Sequence, residues 1–410
     1  MEASSTVMNK AFLVVAQLLA TSMICLVASS QEELPRGSWV EHGLPESSRE
    51  ELRSLLKDQV ERQRIPGGSI LLIHKGELIF AEGFGWADIA AKRPFQVTQP
   101  VKIASITKPI IATGIVAIAD GNQISLDEPV SKWLPEFLNV KLYSGEPAAR
   151  APTIRELLSH TGGAPIDESP QGRPWLRDWS NGPNVTLADV VERLSKTGLA
   201  WEPGAKFGYS GSGFDTAVRA VEVATGRNFE EQLHSRIFMP LEMTETTFRP
   251  NSVVEAVIPK TYNLTTNGIV ASTRKPREHN ASNYVTYGGS LVTTPRDLAK
   301  FLLLHLQHGK WHGQQIISDE AIRSMHQKPK WSPTGYGLGW SLGKIGKGGQ
   351  RLTIGHTGSS GTACSIDFDK QLVWLLFTQM PSPTNPALTK EPTFHQLFRD
   401  KLKEITAKLE

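Results

Sequence analysis

The chain has 410 residues, of which 39% are hydrophobic and 21% charged, with a formal net charge of +3. That composition supports one large core or two coupled subdomains and excludes a disordered chain. Charges of both signs are intermixed without long basic blocks, which sets nucleic-acid binding aside.

Residues 1–30 read as a targeting segment. Lys10 precedes a mostly apolar stretch from Ala11 to Ala28, and Ala28-Ser29-Ser30 before Gln31 places small residues where a signal peptidase cuts. Met8-Asn9-Lys10 offers an alternative translation start. A signal peptide, or the same stretch retained as an N-terminal membrane anchor, predicts an exported protein, periplasmic or extracellular, with residues 31–410 as its folded domain. Cys25 falls in the targeting segment, so Cys364 stands alone in the mature chain. No intramolecular disulfide is then available, and a small buried hydrophobe is the expected role of Cys364.

Leu52, Leu55, Leu56 and Val60 recur at helical spacing and predict a surface helix over Ser48 to Arg64. The apolar runs Ser69–Ile73 and Leu78–Ala81 flank His74-Lys75-Gly76-Glu77 and predict an antiparallel hairpin. From Ser105 to about Gly289 helical stretches alternate with long loops; one, Gly162 to Val185, carries Trp175 and Trp179 and is long enough to suggest function. Arg351–Gly355, Thr362–Phe368 and Leu372–Gln379 read as strands, with Asp369-Lys370 at a tight turn. Phe394, Leu397, Phe398, Leu402 and Ile405 then mark a terminal helix. The predicted fold is α+β: an antiparallel sheet of N- and C-terminal segments flanked by helices, with a helical subdomain inserted at about residues 105–289 and a cleft between them.

Ser105 and Lys108 stand three residues apart at the start of an apolar helix, so one face holds a hydroxyl and an amine. Pro109 suits the first turn of that helix. S-x-x-K also occurs at Ser54/Lys57, Ser272/Lys275 and Ser341/Lys344. Only Ser105 sits at the polar threshold of an apolar helix, where free backbone N–H groups stabilise negative charge. On spacing alone, Ser105 reads equally as a nucleophile or as a helix cap. His305, His308 and His312 match no zinc-ligand spacing, and neither a G-x-S-x-G elbow nor a Gly-rich phosphate loop occurs.

Six segments follow one another along the chain: Ala104–Pro109; Thr153–Gly163; Glu202-Pro203-Gly204 through Phe207-Gly208-Tyr209-Ser210; Pro240–Thr244; Gly288–Leu291 through Arg296-Asp297-Leu298; and Gly355–Gly358. Together they resemble the serine β-lactamase and penicillin-binding-protein superfamily, in its class C β-lactamase-like branch with D-alanyl-D-alanine carboxypeptidases and small-molecule esterases. The resemblance implies the β-lactamase/transpeptidase-like fold. It also implies Ser105 as nucleophile, Lys108 and Tyr209 as the groups that handle its proton, and the Ser105 and Ser359 amides as oxyanion donors. His356, Thr357 and Gly358 would line the substrate, with no metal and no cofactor required. His160 belongs to a motif that fixes a turn.

Two positions depart from the pattern. The Tyr-x-Asn motif has Gly211 in place of the asparagine that holds the lysine and a substrate amide, which weighs against β-lactam and peptide substrates; Ser212 is a candidate replacement. Lys-Thr-Gly reads His356-Thr357-Gly358. With an ordinary pKa of about 6.5, His356 predicts a pH limb between about pH 6 and 7.5. The expected function is a secreted serine hydrolase that forms an acyl-enzyme on small esters or related acyl compounds. A β-lactamase or D-alanyl-D-alanine carboxypeptidase and a noncatalytic ligand binder are the alternatives. The expected partner is a small-molecule acyl substrate; motifs carry no information on oligomeric state.

Overall fold

The computed structural model describes residues 34–165, 184–273, 284–329, 335–383, 388 and 390–409. Every residue of Gly67–His74 is buried, which requires cover on both faces of that strand. It belongs to a seven-stranded antiparallel sheet formed by β1 (Gly67–His74), β2 (Glu77–Asp88), β3 (Arg93–Pro94), β4 (Ser341–Leu342), β5 (Thr353–Thr357), β6 (Ala363–Asp367) and β7 (Leu372–Thr378). The spatial order is β4-β5-β6-β7-β1-β2-β3, so β1 from the front of the chain pairs with β7 from its end. Lys75 and Gly76 both adopt positive φ (53° and 85°), the turn that matches strand twist in a tight hairpin. Leu71 opposes Leu375 and Ile73 opposes Val373 across the β1–β7 ladder.

Five helices matter for the site: α1 (Glu46–Glu61), α2 (Thr107–Asp120), α3 (Gly211–Thr225), α4 (Pro295–Leu306) and α5 (Phe394–Thr406). Leu52 and Leu56 of α1 and Phe398, Leu402 and Ile405 of α5 share a core with Ile70, Leu72 and Leu376 on one sheet face. Side chains alternate along a strand, so Leu71 and Ile73 point to the other face, where α4 packs against β1, β6 and β7. The α+β class with an antiparallel sheet flanked by helices is therefore the observed architecture.

Helix α2 is apolar on nearly every side and buried from Thr107 to Ile118, as such a pattern demands. A side chain at Gly114 would stand 2.6 Å from Leu233 Cδ1, so glycine there lets a neighbouring helix close on α2. Helices also occupy Ile154–Leu158, Leu187–Thr197, Phe229–Leu233 and Ser252–Val257. One element differs from the helical reading of 105–289: Tyr262–Thr265 pairs with Gly268–Ala271 as a β-hairpin. Its Asn267-Gly268 dipeptide is a hairpin signal that the surrounding helical periodicity obscured.

The targeting segment lies outside the described residues, as do Trp175 and Trp179. Among the described residues no helix is long and apolar enough to cross a membrane.

Candidate active site

Ser105 lies in a single 3-10 turn, Ala104–Ile106, that feeds directly into α2. Ala104 holds φ at 47°, a left-handed conformation that costs an alanine about 1–3 kcal/mol and persists only when neighbours enforce it. They do. Val101–Lys102 pairs with Val292–Thr293, Ile103 N–H donates to the Leu291 carbonyl at 3.1 Å, and the Thr362 hydroxyl donates to the Ile103 carbonyl at 3.0 Å. No side chain caps α2 at its N-terminus, so the helix-cap reading of Ser105 is not realised and its Oγ is left to other work.

Lys108, 2% exposed, reaches back across one turn and places Nζ 3.2 Å from Ser105 Oγ. It also donates to the Gly288 carbonyl at 2.7 Å and stands 4.5 Å from the centre of the Tyr209 ring. The N–H groups of a buried lysine need such acceptors, and the ring face supplies further negative potential. Tyr209 itself is half-buried and precedes Ser210, the N-cap of α3, whose Oγ accepts from Gly213 N–H and donates to the Pro165 carbonyl. The structure thus brings Ser105, Lys108 and Tyr209 together.

Ser212 does not take over the missing asparagine. Its hydroxyl bonds Ser210 Oγ at 2.8 Å and the Pro165 carbonyl at 3.1 Å, holding the entry to α3 rather than Lys108. The acceptor for Lys108 is instead the Gly288 carbonyl. A side chain at Gly288 would lie 2.8 Å from Gly211 Cα, so these two glycines pack backbone to backbone. A main-chain carbonyl leaves no signature beyond the Gly288-Gly289 pair, which is why sequence reasoning missed it.

His356 departs from its expected behaviour. It is 5% exposed, its Nδ1–H donates to the Thr357 carbonyl at 2.8 Å, and its Nε2 accepts from the Tyr336 hydroxyl at 2.7 Å. Burial, reinforced by the Lys108 charge, lowers its pKa to about 3. With its pKa held that low, His356 is not expected to supply the limb between about pH 6 and 7.5, and both ring nitrogens are engaged with protein groups. Tyr336, absent from the sequence candidates, is buried, and burial, with a smaller contribution from neighbouring Tyr209, holds its hydroxyl pKa well above the ordinary phenol range.

Beyond His356, Thr357 and Ser359 are exposed at the end of β5. A side chain at Gly358 would collide with the Ile103 carbonyl, so glycine allows the strand end to lie flat on the nucleophile turn. Ser360 Oγ donates to the Lys102 carbonyl at 2.9 Å and adds a second tie. Among the described residues neither the Ser105 nor the Ser359 amide donates to a carbonyl.

His160 fixes the turn its motif suggested, with φ at 59° and Nδ1 accepting from Ser210 N–H at 3.2 Å. Its ring also lies 4.3 Å from that of Tyr209 and 4.7 Å from that of Tyr336, the centre of an aromatic wall. Burial and then the Lys108 charge hold it neutral. His305, His308 and His312 do not converge. His305 engages Thr113 and His326, His308 faces Asp319, and His312 lies against Trp311. Cys364 pairs opposite His356 between β5 and β6, and burial pushes its thiol up to about 12.

The sequence model of the family described as Beta-lactamase matches residues 52–393. Penicillin-binding protein 4* of Bacillus subtilis (strain 168) is 25% identical over 382 residues, 87% of this chain and 77% of that protein. Protein flp of Staphylococcus aureus (strain MW2) is 26% identical over 299 residues, 72% of this chain and 56% of that protein, so the chain spans little more than half its length. Among solved structures, "EstCE1, a hydrolase with promiscuous acyltransferase activity" superposes with a TM-score of 0.73 at 21% identity, covering 87% of this chain and 98% of the other, a likeness of fold. A serine and lysine one turn apart beside a tyrosine, on this sheet and helix arrangement and under a match over most of its length, make the chain a member of the beta-lactamase family, within the serine β-lactamase and penicillin-binding-protein superfamily.

Proposed function

We propose that the chain is an exported serine hydrolase that cleaves small esters or related acyl compounds through an acyl-enzyme on Ser105. The observation that carries this reading is the convergence of Lys108 Nζ on Ser105 Oγ beneath the Tyr209 ring. Lys108 and Tyr209 share removal of the Ser105 hydroxyl proton as the oxygen attacks the acyl carbonyl. The Ser105 and Ser359 amides receive the developing oxyanion. Tyr209 passes a proton to the leaving alcohol, the ester bond breaks, and water then attacks the acyl-serine by the same path in reverse.

The preference for esters rests on two features of the site. Gly211 offers no side-chain amide to bind a peptide or β-lactam amide, and a neutral His356, held by Tyr336 and Thr357, offers no charge to a substrate carboxylate. Carboxypeptidase or β-lactamase activity is the second reading, favoured by the name of the Bacillus relative. Residues 1–30 direct export in this proposal, and N-terminal sequencing of the secreted chain is expected to begin at Gln31. The distinguishing experiment offers purified protein short-chain nitrophenyl esters, a chromogenic cephalosporin and a D-Ala-D-Ala peptide. Ester turnover that exceeds the other two supports the proposal; rapid peptide cleavage without ester turnover reverses the ranking.

A further inference from the structure

Asp215 sits one turn into α3, 1% exposed, and a carboxylate so buried needs protein donors in place of water. It gathers the segment that carries Gly288. Oδ2 accepts from the Tyr284 hydroxyl at 2.6 Å and from Thr286 Oγ1 at 3.3 Å, and Oδ1 accepts from the Tyr287 N–H at 2.7 Å. Thr286 Oγ1 in turn accepts from the Gly288 N–H at 3.4 Å. Gly289 N–H and Ser290 N–H both close on the Thr286 carbonyl, which makes residues 286–290 one tight turn. Tyr287 is clamped beyond that by the rings of Phe229 and Phe248.

From these contacts we infer that Asp215 is a positioning residue for the reaction, acting through the 284–288 segment to aim the Gly288 carbonyl at Lys108. A carbonyl 2.7 Å from Nζ fixes where the amine sits, and Nζ is 3.2 Å from the reacting hydroxyl. Helix α3 therefore serves the site twice: its entry carries Tyr209 and its second turn holds the acceptor for Lys108. Gly288 has no side chain of its own to anchor it, and the backbone of Gly211 blocks any that could be added. The carboxylate, with three donors from one short segment, supplies the anchor. The inference rests on Lys108 serving Ser105.

The test is a double-substitution cycle on the full chain with Asp215→Ala, Gly288→Ala and the pair, alongside Asp215→Asn. Asparagine keeps one oxygen for Tyr287 N–H and a polar group for Tyr284, so it restores the tether. Each alanine variant is expected to lower kcat for ester hydrolysis by about 10- to 100-fold with KM changed less than about threefold, the scale of a reacting group misplaced by an ångström. Asp215→Asn is expected to retain most of the rate. Both substitutions act through one carbonyl, so the pair is expected to fall no more than about threefold below the worse single variant. Hydrogen exchange of residues 284–291 supplies a readout independent of turnover and is expected to quicken in Asp215→Ala and not in Asp215→Asn. Losses that multiply across the pair, or exchange unchanged in Asp215→Ala, overturn the inference. Should Asp215→Ala not fold, Thr286→Val removes the hydroxyl that joins Asp215 to the Gly288 N–H, and wild-type kcat in that variant overturns it equally. Quickened exchange in Asp215→Ala, together with a wild-type protein that never acylates Ser105, would sink the hydrolase reading while leaving the tether standing.

Discussion

Acidification is expected to destabilise this protein through histidines that folding keeps uncharged. His356 and His326 are both deeply buried, and burial is the first cause that lowers each pKa to about 3. In the unfolded chain each returns to about 6.5. The unfolded state then binds a proton that the folded state refuses, so stability is lost as pH falls below 6.5, and the loss continues toward pH 3. Between pH 7 and pH 5 each histidine removes about 2 kcal/mol, and the two together about 4 kcal/mol, a large part of the roughly 5–15 kcal/mol that typically holds a domain folded. Glu230 and Asp297 work in the opposite direction, because burial raises both carboxyls. The comparison of variants isolates the histidines. Urea unfolding followed by tryptophan fluorescence at pH 7 and pH 5 is expected to show a drop about 2 kcal/mol smaller in His326→Gln than in the wild type, and similarly in His356→Gln. Glutamine at 326 can still donate to His305 Nδ1, as His326 Nε2 does at 3.1 Å. Equal drops in the wild type and both variants would refute the claim that these rings are folded as neutral groups.

Lys108→Met is expected to lower kcat for nitrophenyl ester hydrolysis by about 10²- to 10⁴-fold, the usual contribution of a positioned proton acceptor, with thermal unfolding used to confirm the fold. Gly358→Ala forces the end of β5 off the Ile103 carbonyl and displaces Ser359, so kcat should fall by about 10²- to 10³-fold, as when one oxyanion donor is lost; an unchanged rate removes Ser359 from the site. The pH profile of kcat/KM should keep its limbs in place in His356→Gln, because the ring is already neutral well below the working range. A limb that moves by about one unit in that variant would return His356 to the titrating set.

Local spacing made the ends of the fold legible: Leu52 and Leu56 repeat on a helix, Ile70 and Leu72 alternate on a strand, and each pattern follows directly from its own geometry. The hairpin at Tyr262–Ala271 was hidden because a four-residue strand gives little periodic signal beside longer helices. At the site, Ser105 and Lys108 were readable because a helical turn fixes their separation within one short segment. Tyr209 depended on the resemblance, since its approach to Lys108 spans a hundred residues of chain. The Gly288 carbonyl and the Tyr336 hydroxyl could not be read at all: one is main chain, and the other acquires meaning only when β4 and β5 bring it against His356. The neutrality of His356 was missed for a related reason, because burial is a property of the folded chain and the reference pKa is not.

Intact-mass and peptide analysis after treatment of the wild-type protein with a fluorophosphonate tests the central claim most directly. The expected result is one phosphonyl adduct on Ser105, lost in Ser105→Ala and strongly slowed in Lys108→Met. A folded protein that takes no adduct, or takes it on another residue, would contradict the assignment of Ser105 as the nucleophile.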